Sequence, residues 1–236
     1  NNGGANTTIA CGTNATGLTS TEGSNTWIFY VNDTAGNINS STITFSKDTI
    51  KPLVSIVYPT NVTYTINITS LNYTASDTNL DKCWYTLNNG GANTTIACGT
   101  NATGLTSNEG SNTWIFYVND TAGNINSSSL TFSKDTIIPE VNFSNPSSNF
   151  GNQSYNSIWQ NVTSTDTNKD RITLRIYNSS GLYNETLSSI GASSFFLNYT
   201  GLLEGTYYIN ATANDTFGYV NNTATRTILV DTIKPL

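Results

Sequence analysis

The chain contains no histidine and no methionine, and only 15 acidic and 9 basic residues occur among its 236. Without histidine it lacks the commonest general base and metal ligand, so an enzyme would have to work through carboxylates, Tyr or Cys. Nine basic residues at a net charge of −6 cannot form a phosphate-binding patch, and we expect no nucleic-acid partner. The sequence has no run of about 18 apolar residues, so we expect no membrane span in it.

Polar residues, mainly Thr, Asn and Ser, take the place of the missing charges, while aromatic residues make up 11% of the chain. A polar and weakly charged chain can be disordered. Here, however, Thr, Val, Ile, Tyr and Phe recur in alternation, which is typical of strands, and no stretch shows sustained helical periodicity. The sequence therefore predicts an all-β fold.

A near-perfect internal duplication organises the chain. Residues 1–50 recur as residues 88–137, and 47 of the 50 positions are identical. The three differences are Thr21/Asn108, Thr42/Ser129 and Ile43/Leu130. A fixed shift of 87 residues marks a tandem array and is too long for one turn of a solenoid. It suits one small β-sandwich domain.

A linker motif, D-T-I-x-P, occurs at residues 48–52, 135–139 and 231–235. Its final proline stops a strand and stiffens the junction. The sequence reads as part of a longer repeat protein with stiff junctions. We predict the C-terminal part of a domain at 1–50, complete domains at 51–137 and 138–233, and the start of a further domain at 234–236.

Short strands separated by turns predict a Greek-key β-sandwich in each complete domain. In the second domain we predict strands at 54–58, 70–75, 82–87, 94–98, 112–118 and 127–133. In the third domain we predict strands at 141–144, 158–163, 171–177, 195–199, 207–213 and 223–230. Alignment with the third domain places Trp114, Phe116 and Val118 on an inner face, and Trp27 and Phe29 should take the same place in residues 1–50.

Three kinds of string carry a family resemblance: W-I-F-Y-V-N-D-T-A-G-N at 27–37 and 114–124, A-T-A-N-D-T-F-G at 211–218, and the D-T-I-x-P linkers. They resemble the tandem immunoglobulin-like (Ig-like) repeats of archaeal surface and adhesin-like proteins, and also the bacterial Ig-like repeats of large adhesins. The resemblance covers essentially the whole chain. It implies tandem Ig-like domains and an extracellular, structural or adhesive role at the cell surface, but it does not specify a ligand.

Cys83 and Cys98 lie at opposite ends of a predicted hairpin around residues 88–92. If its turn centres between Gly90 and Gly91, the two cysteines face each other, and a four-residue loop at 89–92 places them at a non-hydrogen-bonded pair. We therefore predict a disulfide, which implies an oxidising, extracellular setting. The alternative is two buried free thiols. Cys11 is the repeat counterpart of Cys98, and its partner would precede residue 1.

N-x-S/T sequons occur 20 times, about twice the roughly 10 that random placement would give. We expect N-linked glycans on several of them, which would keep a weakly charged surface soluble and block edge pairing. The alternative is that Asn-x-Thr serves only as turn and edge-strand chemistry. The sequon asparagines are Asn6, Asn14, Asn32, Asn39, Asn61, Asn67, Asn72, Asn93, Asn101, Asn119, Asn126, Asn142, Asn152, Asn161, Asn178, Asn184, Asn198, Asn210, Asn214 and Asn221.

Acidic motifs recur at corresponding places in the two complete domains. The predicted B–C loops read D-T-N-x-D-[KR] at 77–82 and 166–171, and the F–G turns read N-D-T at 119–121 and 214–216. In a sandwich of this topology these loops and the start of strand A lie at one end, so their carboxylates should converge.

Clustered carboxylate oxygens are hard ligands that suit Ca²⁺, and the resemblance to bacterial adhesin repeats implies ions that stiffen the linkers. The alternative is turn chemistry in which Lys82 or Arg171 neutralises the preceding Asp. The predicted ligands are Asp48, Asp77, Asp81 and Asp120 at the first junction, and Asp135, Asp166, Asp170 and Asp215 at the second.

These features together predict a structural extracellular protein: a glycosylated rod of Ig-like repeats that forms or decorates a surface filament, stalk or sheath. Its partners would be copies of itself or adjacent repeats, and no cofactor beyond Ca²⁺ and glycans is expected. The alternative is an adhesin module that recognises a sugar or protein on another cell, with Tyr155, Trp159 and Tyr183 as candidates. Paired carboxylates also serve glycosidases, but repeated junctions imply no cleft, so we expect no enzyme.

Overall fold

The computed structural model describes residues 4–88, 90–148 and 150–235. In these ranges the regular structure consists of β-strands, which confirms the predicted all-β fold class. Nothing in the described part of the chain is a helix long and apolar enough to cross a membrane. The chain forms two compact units, Asn1–Thr63 with Asn67–Lys134, and Tyr64–Ile66 with Asp135–Leu236.

Nineteen strands occur in the described residues. The first ten are β1 (Gly23–Asn32), β2 (Ile38–Lys47), β3 (Leu53–Tyr58), β4 (Thr63–Tyr64), β5 (Ser70–Ser76), β6 (Leu80–Thr86), β7 (Thr94–Ile96), β8 (Ala102–Thr103), β9 (Gly110–Asp120) and β10 (Ile125–Lys134). The other nine are β11 (Glu140–Ser144), β12 (Gly151–Gln153), β13 (Ser157–Thr165), β14 (Lys169–Asn178), β15 (Gly181–Leu187), β16 (Ser194–Thr200), β17 (Gly205–Asp215), β18 (Val220–Asn222) and β19 (Arg226–Val230).

A sandwich of two sheets follows the first D-T-I-x-P linker and contains most of the second copy of the duplicated sequence. One sheet has the order β3-β5-β8 and the other the order β4-β10-β9-β6-β7. Between them Trp114, Phe116 and Val118 of β9 are fully buried, because every second side chain of a strand points to the same face. Tyr73 stacks on Phe116 with ring centroids 3.6 Å apart, and Trp114 meets Phe132 edge-on at 5.0 Å. The predicted inner face of β9 is therefore confirmed.

The second unit repeats this architecture with a different sequence. Its sheets have the orders β11-β13-β16 and β12-β19-β17-β14-β15, and β18 pairs with β17. Aliphatic and small residues of the central strands β14 and β17 form most of its core. The fully or almost fully buried members on these two strands are Ile172, Leu174, Ile176, Ile209, Ala211 and Ala213. Two Greek-key sandwiches of the Ig-like type result, as the resemblance implied.

Residues 23–47 form an antiparallel hairpin of β1 and β2, which is a two-stranded sheet of its own. Trp27 packs edge-on against Phe45, with ring centroids 4.9 Å apart. Phe29, which the sequence placed on an inner face, is 55% exposed, and Val31 is 46% exposed. The hairpin has the alternation of a core strand, but within the described residues no second sheet covers this face.

Five strands were missed by the sequence analysis: β4, β8, β12, β15 and β18. Four of them have only two or three residues, so alternation cannot mark them, and they exist because a neighbouring strand offers free backbone groups. β15 is longer, but it is an exposed edge strand and carries no buried face to produce a pattern. The strand predicted at 223–230 corresponds to β19, which begins three residues later than predicted, at Arg226.

The predicted register of the cysteine hairpin is wrong by two residues. Cys83 lies opposite Ile96 rather than Cys98, and β7 ends at Ile96. The turn is centred one residue earlier than expected, where Asn88 and Gly90 adopt φ values of 53° and 104°. The predicted loop at 89–92 begins at Asn89, which lies outside the described residues.

The duplication provides a matched test of burial. We expect Phe116→Ala to lower the free energy of unfolding by about 3–5 kcal/mol, because it opens a cavity in a dry core. The same change at its counterpart Phe29 should cost less than about 1 kcal/mol, because that ring is half exposed. Urea unfolding, with hydrogen exchange of the β9 amides to report on the first unit, measures both. Equal losses at the two positions would contradict the burial difference.

Candidate metal centres

Three carboxylates come together in the first unit. Asp48 follows β2, Asp77 lies in the β5–β6 loop and Asp120 ends β9. One carboxylate oxygen from each lies within 4.8 Å of those of the other two. Asp120 shares the inward parity of Trp114 and Val118 and is only 1% exposed. The alternation that builds the core thus carries a carboxylate into the end of the sandwich.

The second unit builds a corresponding cluster from Asp135, Asp166 and Asp215, with oxygens again within 4.8 Å of one another. Asp135 opens the unit, Asp166 lies in the β13–β14 turn and Asp215 ends β17. Asp135 and Asp215 are 5% and 2% exposed. Six of the eight predicted metal ligands are therefore gathered as two groups of three.

Local turn chemistry orients most of these carboxylates. In an Asx turn the side-chain oxygen of Asp accepts a hydrogen bond from the backbone N–H two residues later. The first cluster has Asx turns at Asp48 and Asp77, whose Oδ1 atoms accept bonds of 3.2 and 2.8 Å. The second has them at Asp135 and Asp166, with bonds of 3.1 and 2.6 Å. Each turn occupies one oxygen and leaves the other free of that bond.

An asparagine further closes each cluster. Asn79 Nδ2 donates to Asp48 Oδ2 at 3.3 Å, and Asn168 Nδ2 donates to Asp135 Oδ2 in the corresponding place. These are the asparagines of the D-T-N-x-D motif, and their amides neutralise part of the negative potential. The turn-chemistry alternative therefore accounts for part of each motif.

The two clusters differ in the residue that caps the aspartate at the end of the long strand. Asn124 caps Asp120 twice, since its N–H and its Nδ2 donate to Oδ1 and Oδ2 at 2.8 Å each. Burial raises the pKa of Asp120, but these bonds outweigh burial and the pKa lies below its usual range. Tyr219 replaces Asn124 in the second unit, and its bond to Asp215 comes from the backbone N–H alone, which donates to Oδ1 at 2.8 Å.

Two buried oxygens in the second cluster accept no hydrogen bond. They are Asp166 Oδ2 and Asp215 Oδ2. A buried carboxylate oxygen without a donor or a cation is costly, and none of the salt bridges in the described residues involves either carboxylate. A divalent cation would supply what these oxygens lack, so the residues fit a Ca²⁺ ion.

Asp81 and Asp170 belong to neither group, which corrects their assignment as ligands. Asp81 lies 3.9 Å from Lys82 Nζ and accepts a bond from Asn119, while Asp170 accepts one of 2.7 Å from Asn214. Each is the second residue of its strand, and the pairing with the neighbouring strand shifts register there, between Leu80 and Lys82 in β6 and between Lys169 and Arg171 in β14. Such an irregularity interrupts the alternation of the strand, so these aspartates do not follow the inward parity of the residues after them. Asp81 and Asp170 therefore match the turn-chemistry alternative, in which the following basic residue neutralises the carboxylate.

A glutamate clamp on the linker motif was missed by the sequence analysis. Thr49 donates from its N–H and hydroxyl to Glu22 at 2.9 and 2.6 Å, and Lys47 lies 3.1 Å away. The hydroxyl and amide of Thr49 together with Lys47 lower the pKa of Glu22 to about 2. Glu204 binds Thr232 in the same manner. An E-G pair before β1, β9 and β17, at 22–23, 109–110 and 204–205, was the available signal.

The predicted disulfide is confirmed. Cys83 Sγ and Cys98 Sγ are 2.08 Å apart, with Cα atoms at 5.2 Å. Cys83 is fully buried in β6 and Cys98 lies just past β7, so the bond fastens an edge of the sheet to its neighbour. Disulfides of this kind persist in oxidising compartments and indicate an extracellular protein. Cys11 has a free, exposed thiol.

The sequons divide by what their side-chain amides do. None of the 20 asparagines is buried, but seven donate from Nδ2 to other groups of the chain. These seven are Asn67, Asn119, Asn126, Asn142, Asn161, Asn214 and Asn221. Since Nδ2 is the atom that carries a glycan, the alternative that Asn-x-Thr serves only as turn and edge-strand chemistry applies to these seven. Ten others are exposed without such a bond: Asn6, Asn14, Asn32, Asn39, Asn61, Asn93, Asn101, Asn152, Asn184 and Asn198.

The three aromatic residues proposed as a binding platform do not act as one group. Tyr155 stacks on Trp159 with centroids 5.1 Å apart and planes at 17°. Tyr183 instead meets Tyr207 edge-on at 6.0 Å. Tyr155 is 42% exposed, so the Tyr155–Trp159 pair presents a partly open aromatic surface.

No family model matches the chain, and no curated protein matches it. A solved tetra-tandem repeat from the extending region of a large adhesion protein is similar over 90% of this chain and 57% of that chain, at 19% identity and a TM-score of 0.47. Sidekick-1 immunoglobulin domains 1–4 are similar over 86% and 57%, at 15% identity and a TM-score of 0.45. The solved structure of Dpr11 IG1 bound to DIP-gamma IG+IG2 is similar over 76% of this chain and 98% of that chain, at 14% identity and a TM-score of 0.41. The chain spans little more than half the length of the first two.

Proposed function

We propose that the chain belongs to a structural extracellular protein, a glycosylated rod of Ig-like repeats that forms or decorates a cell-surface filament, stalk or sheath. The observation that carries this proposal is the duplication, in which 47 of 50 residues are repeated after 87 positions. A binding site needs one good copy, whereas a spacer gains length from every identical copy. The buried disulfide supports the extracellular setting.

Imaging of intact source cells tests this function. An antibody raised against the chain should label the outside of unpermeabilised cells, and electron microscopy should show the label along extended structures. Label that appears only after permeabilisation would overturn the proposal. The stiffness of the linkers stays a prediction, which imaging of isolated material would also examine.

We assign a stabilising Ca²⁺ site to the second cluster in this function. Asp166 Oδ2 and Asp215 Oδ2 supply oxygens without donors, and Asp135 adds a third carboxylate. An ion there would tie the first residues of the unit to the β13–β14 turn and to the end of β17. The first cluster is the weaker candidate, because Asn124 already satisfies both oxygens of Asp120.

Calcium binding should therefore depend on Asp215. We expect Asp215→Asn to weaken Ca²⁺ binding by at least about tenfold and to remove most of the Ca²⁺-dependent rise in melting temperature of the second unit. Asp170→Asn is the matched control and should change the affinity less than about twofold, because Asp170 lies outside the cluster. Isothermal titration and thermal unfolding after chelation measure both. A chain that gives no binding heat with millimolar Ca²⁺ would remove the site.

Glycans complete the proposed surface. With only 10% charged residues, the chain has few other means to keep its edge strands apart. Exposed sequons occur in equivalent pairs, such as Asn6 with Asn93 and Asn14 with Asn101, so each copy would carry the same coat.

Whether a sequon carries a glycan should depend on whether its asparagine Nδ2 already donates a hydrogen bond within the chain. We expect sugars at Asn93 and Asn101 and none at Asn126 and Asn221, because the latter two donate from Nδ2 at 2.9 Å to the carbonyls of Pro52 and Pro139. Glycopeptide mass spectrometry of the chain secreted from cells with an N-glycosylation pathway checks this. Bare peptides at all sequons, or equal occupancy at engaged and open ones, would contradict it.

An adhesin module that recognises a sugar is the second candidate, and the Tyr155–Trp159 stack favours it. An exposed aromatic face can stack against the apolar face of a sugar ring. A glycan array probed with the chain and with Trp159→Ala would decide, since a sugar-binding module must lose its signal in that variant.

A further inference from the structure

The two copies of the duplicated sequence differ in burial although their sequences agree. Phe116 and Val118 are fully buried, but their counterparts Phe29 and Val31 are 55% and 46% exposed, and Ile43 beside them is 60% exposed. We call the surface formed by Phe29, Val31 and Ile43 the hairpin face. Phe29 and Val31 alternate along one face of β1, and Ile43 lies on the same face opposite Trp27. An exposed apolar surface on a polar chain marks an interaction site.

Residues 51–87 provide the cover in the second copy. Tyr73 stacks on Phe116, and β6 pairs with β9 so that Tyr85 lies opposite Phe116 and Cys83 opposite Val118. Because β1 has the same sequence as the core of β9, it offers the same side chains and the same free backbone edge in the same register. The second copy therefore shows directly which kind of segment fits the hairpin face.

Polar groups around the face are likewise bonded to residues 51–87 in the second copy, whereas a counterpart is exposed in the first. Asn126 Nδ2 donates to the carbonyl of Pro52 at 2.9 Å, and Ser128 Oγ accepts from the N–H of Ile56 at 3.1 Å. Asn39, the counterpart of Asn126, is exposed. A segment with the sequence pattern of 51–87 would meet these polar groups as well as the apolar ones.

Cys11 gives an independent indication of the same occupant. Its thiol is free and exposed, whereas its counterpart Cys98 is bonded to Cys83. A segment of the 51–87 type that docks on the hairpin face in the register of the second copy brings its own cysteine to Cys11.

We propose that the hairpin face is completed by a segment of the 51–87 sequence type from an adjoining repeat of the same array, and that Cys11 forms a disulfide with the cysteine of that segment. The bond forms by exchange with a small disulfide such as oxidised glutathione. Two protein thiols are oxidised, the small disulfide is reduced to two thiols, and these take up the two protons. This inference rests on the proposed function in one respect, which is that a repeat array supplies the segment.

The test joins a second copy of residues 51–87 directly to the N-terminal side of the full chain, which reproduces the order of residues 87 and 88. After refolding in a glutathione redox buffer, disulfide mapping should show Cys11 bonded to the added cysteine. Reaction of Cys11 with a maleimide should slow by at least about tenfold, and hydrogen exchange in β1 should slow by a similar factor.

A matched extension separates docking from mere attachment. In it the added copy carries Leu71→Ser, Tyr73→Ser and Tyr85→Ser, which removes the side chains that would cover the face, and Cys11 should stay reactive. If Cys11 also stays reactive beneath the unmodified extension while Cys83–Cys98 forms, the proposal is overturned. It is equally overturned if the unextended chain forms a dimer that Phe29→Ser dissociates, because a second copy would then be the occupant. Neither result bears on surface location, which imaging tests separately.

Discussion

The structure of each complete domain depends on burying one face of its longest strand. In β9 this face consists of Trp114, Phe116 and Val118, and in β17 it consists of smaller residues such as Ile209 and Ala211. A strand presents two faces with a period of two residues, so burying one of them fixes the register of every neighbour that pairs with it. The disulfide, the facing sheet and the carboxylate clusters all take their positions from that register.

The clusters follow from the same alternation continued to the end of the strand. Asp120 and Asp215 have the parity of the buried residues before them, so they end inside the sandwich rather than on its flank. Asx turns then hold the other carboxylates near them, and the difference between Asn124 and Tyr219 changes how well the oxygens of the strand-end aspartate are satisfied. In the proposed Ca²⁺ sites this difference in capping would favour the second cluster.

The first copy demonstrates how little of the fold is local. With 47 of 50 residues identical to the second copy, residues 1–50 still form the same kind of hairpin and turn at β1 and β2, because those depend on neighbouring residues. Phe29 and Val31 nevertheless remain exposed, since burial requires a second sheet that the hairpin does not contain. The same sequence thus forms the same hairpin in both copies, but its apolar face is buried in only one of them.

The sequence by itself determined the strands with strong alternation, the repeat, the pairing of Cys83 with Cys98 and the two sets of carboxylates, because these depend on local periodicity and on topology shared by β-sandwiches. Tertiary structure decided which carboxylates converge, since Asp81 and Asp170 lie only a few residues from cluster members but at shifts in the register of β6 and β14 that interrupt the alternation. It also decided which sequon amides are engaged and where the cysteine hairpin turns. Short edge strands such as β8 and the glutamate clamp at Thr49 depend on partners distant in sequence, and no local pattern encodes such a partner.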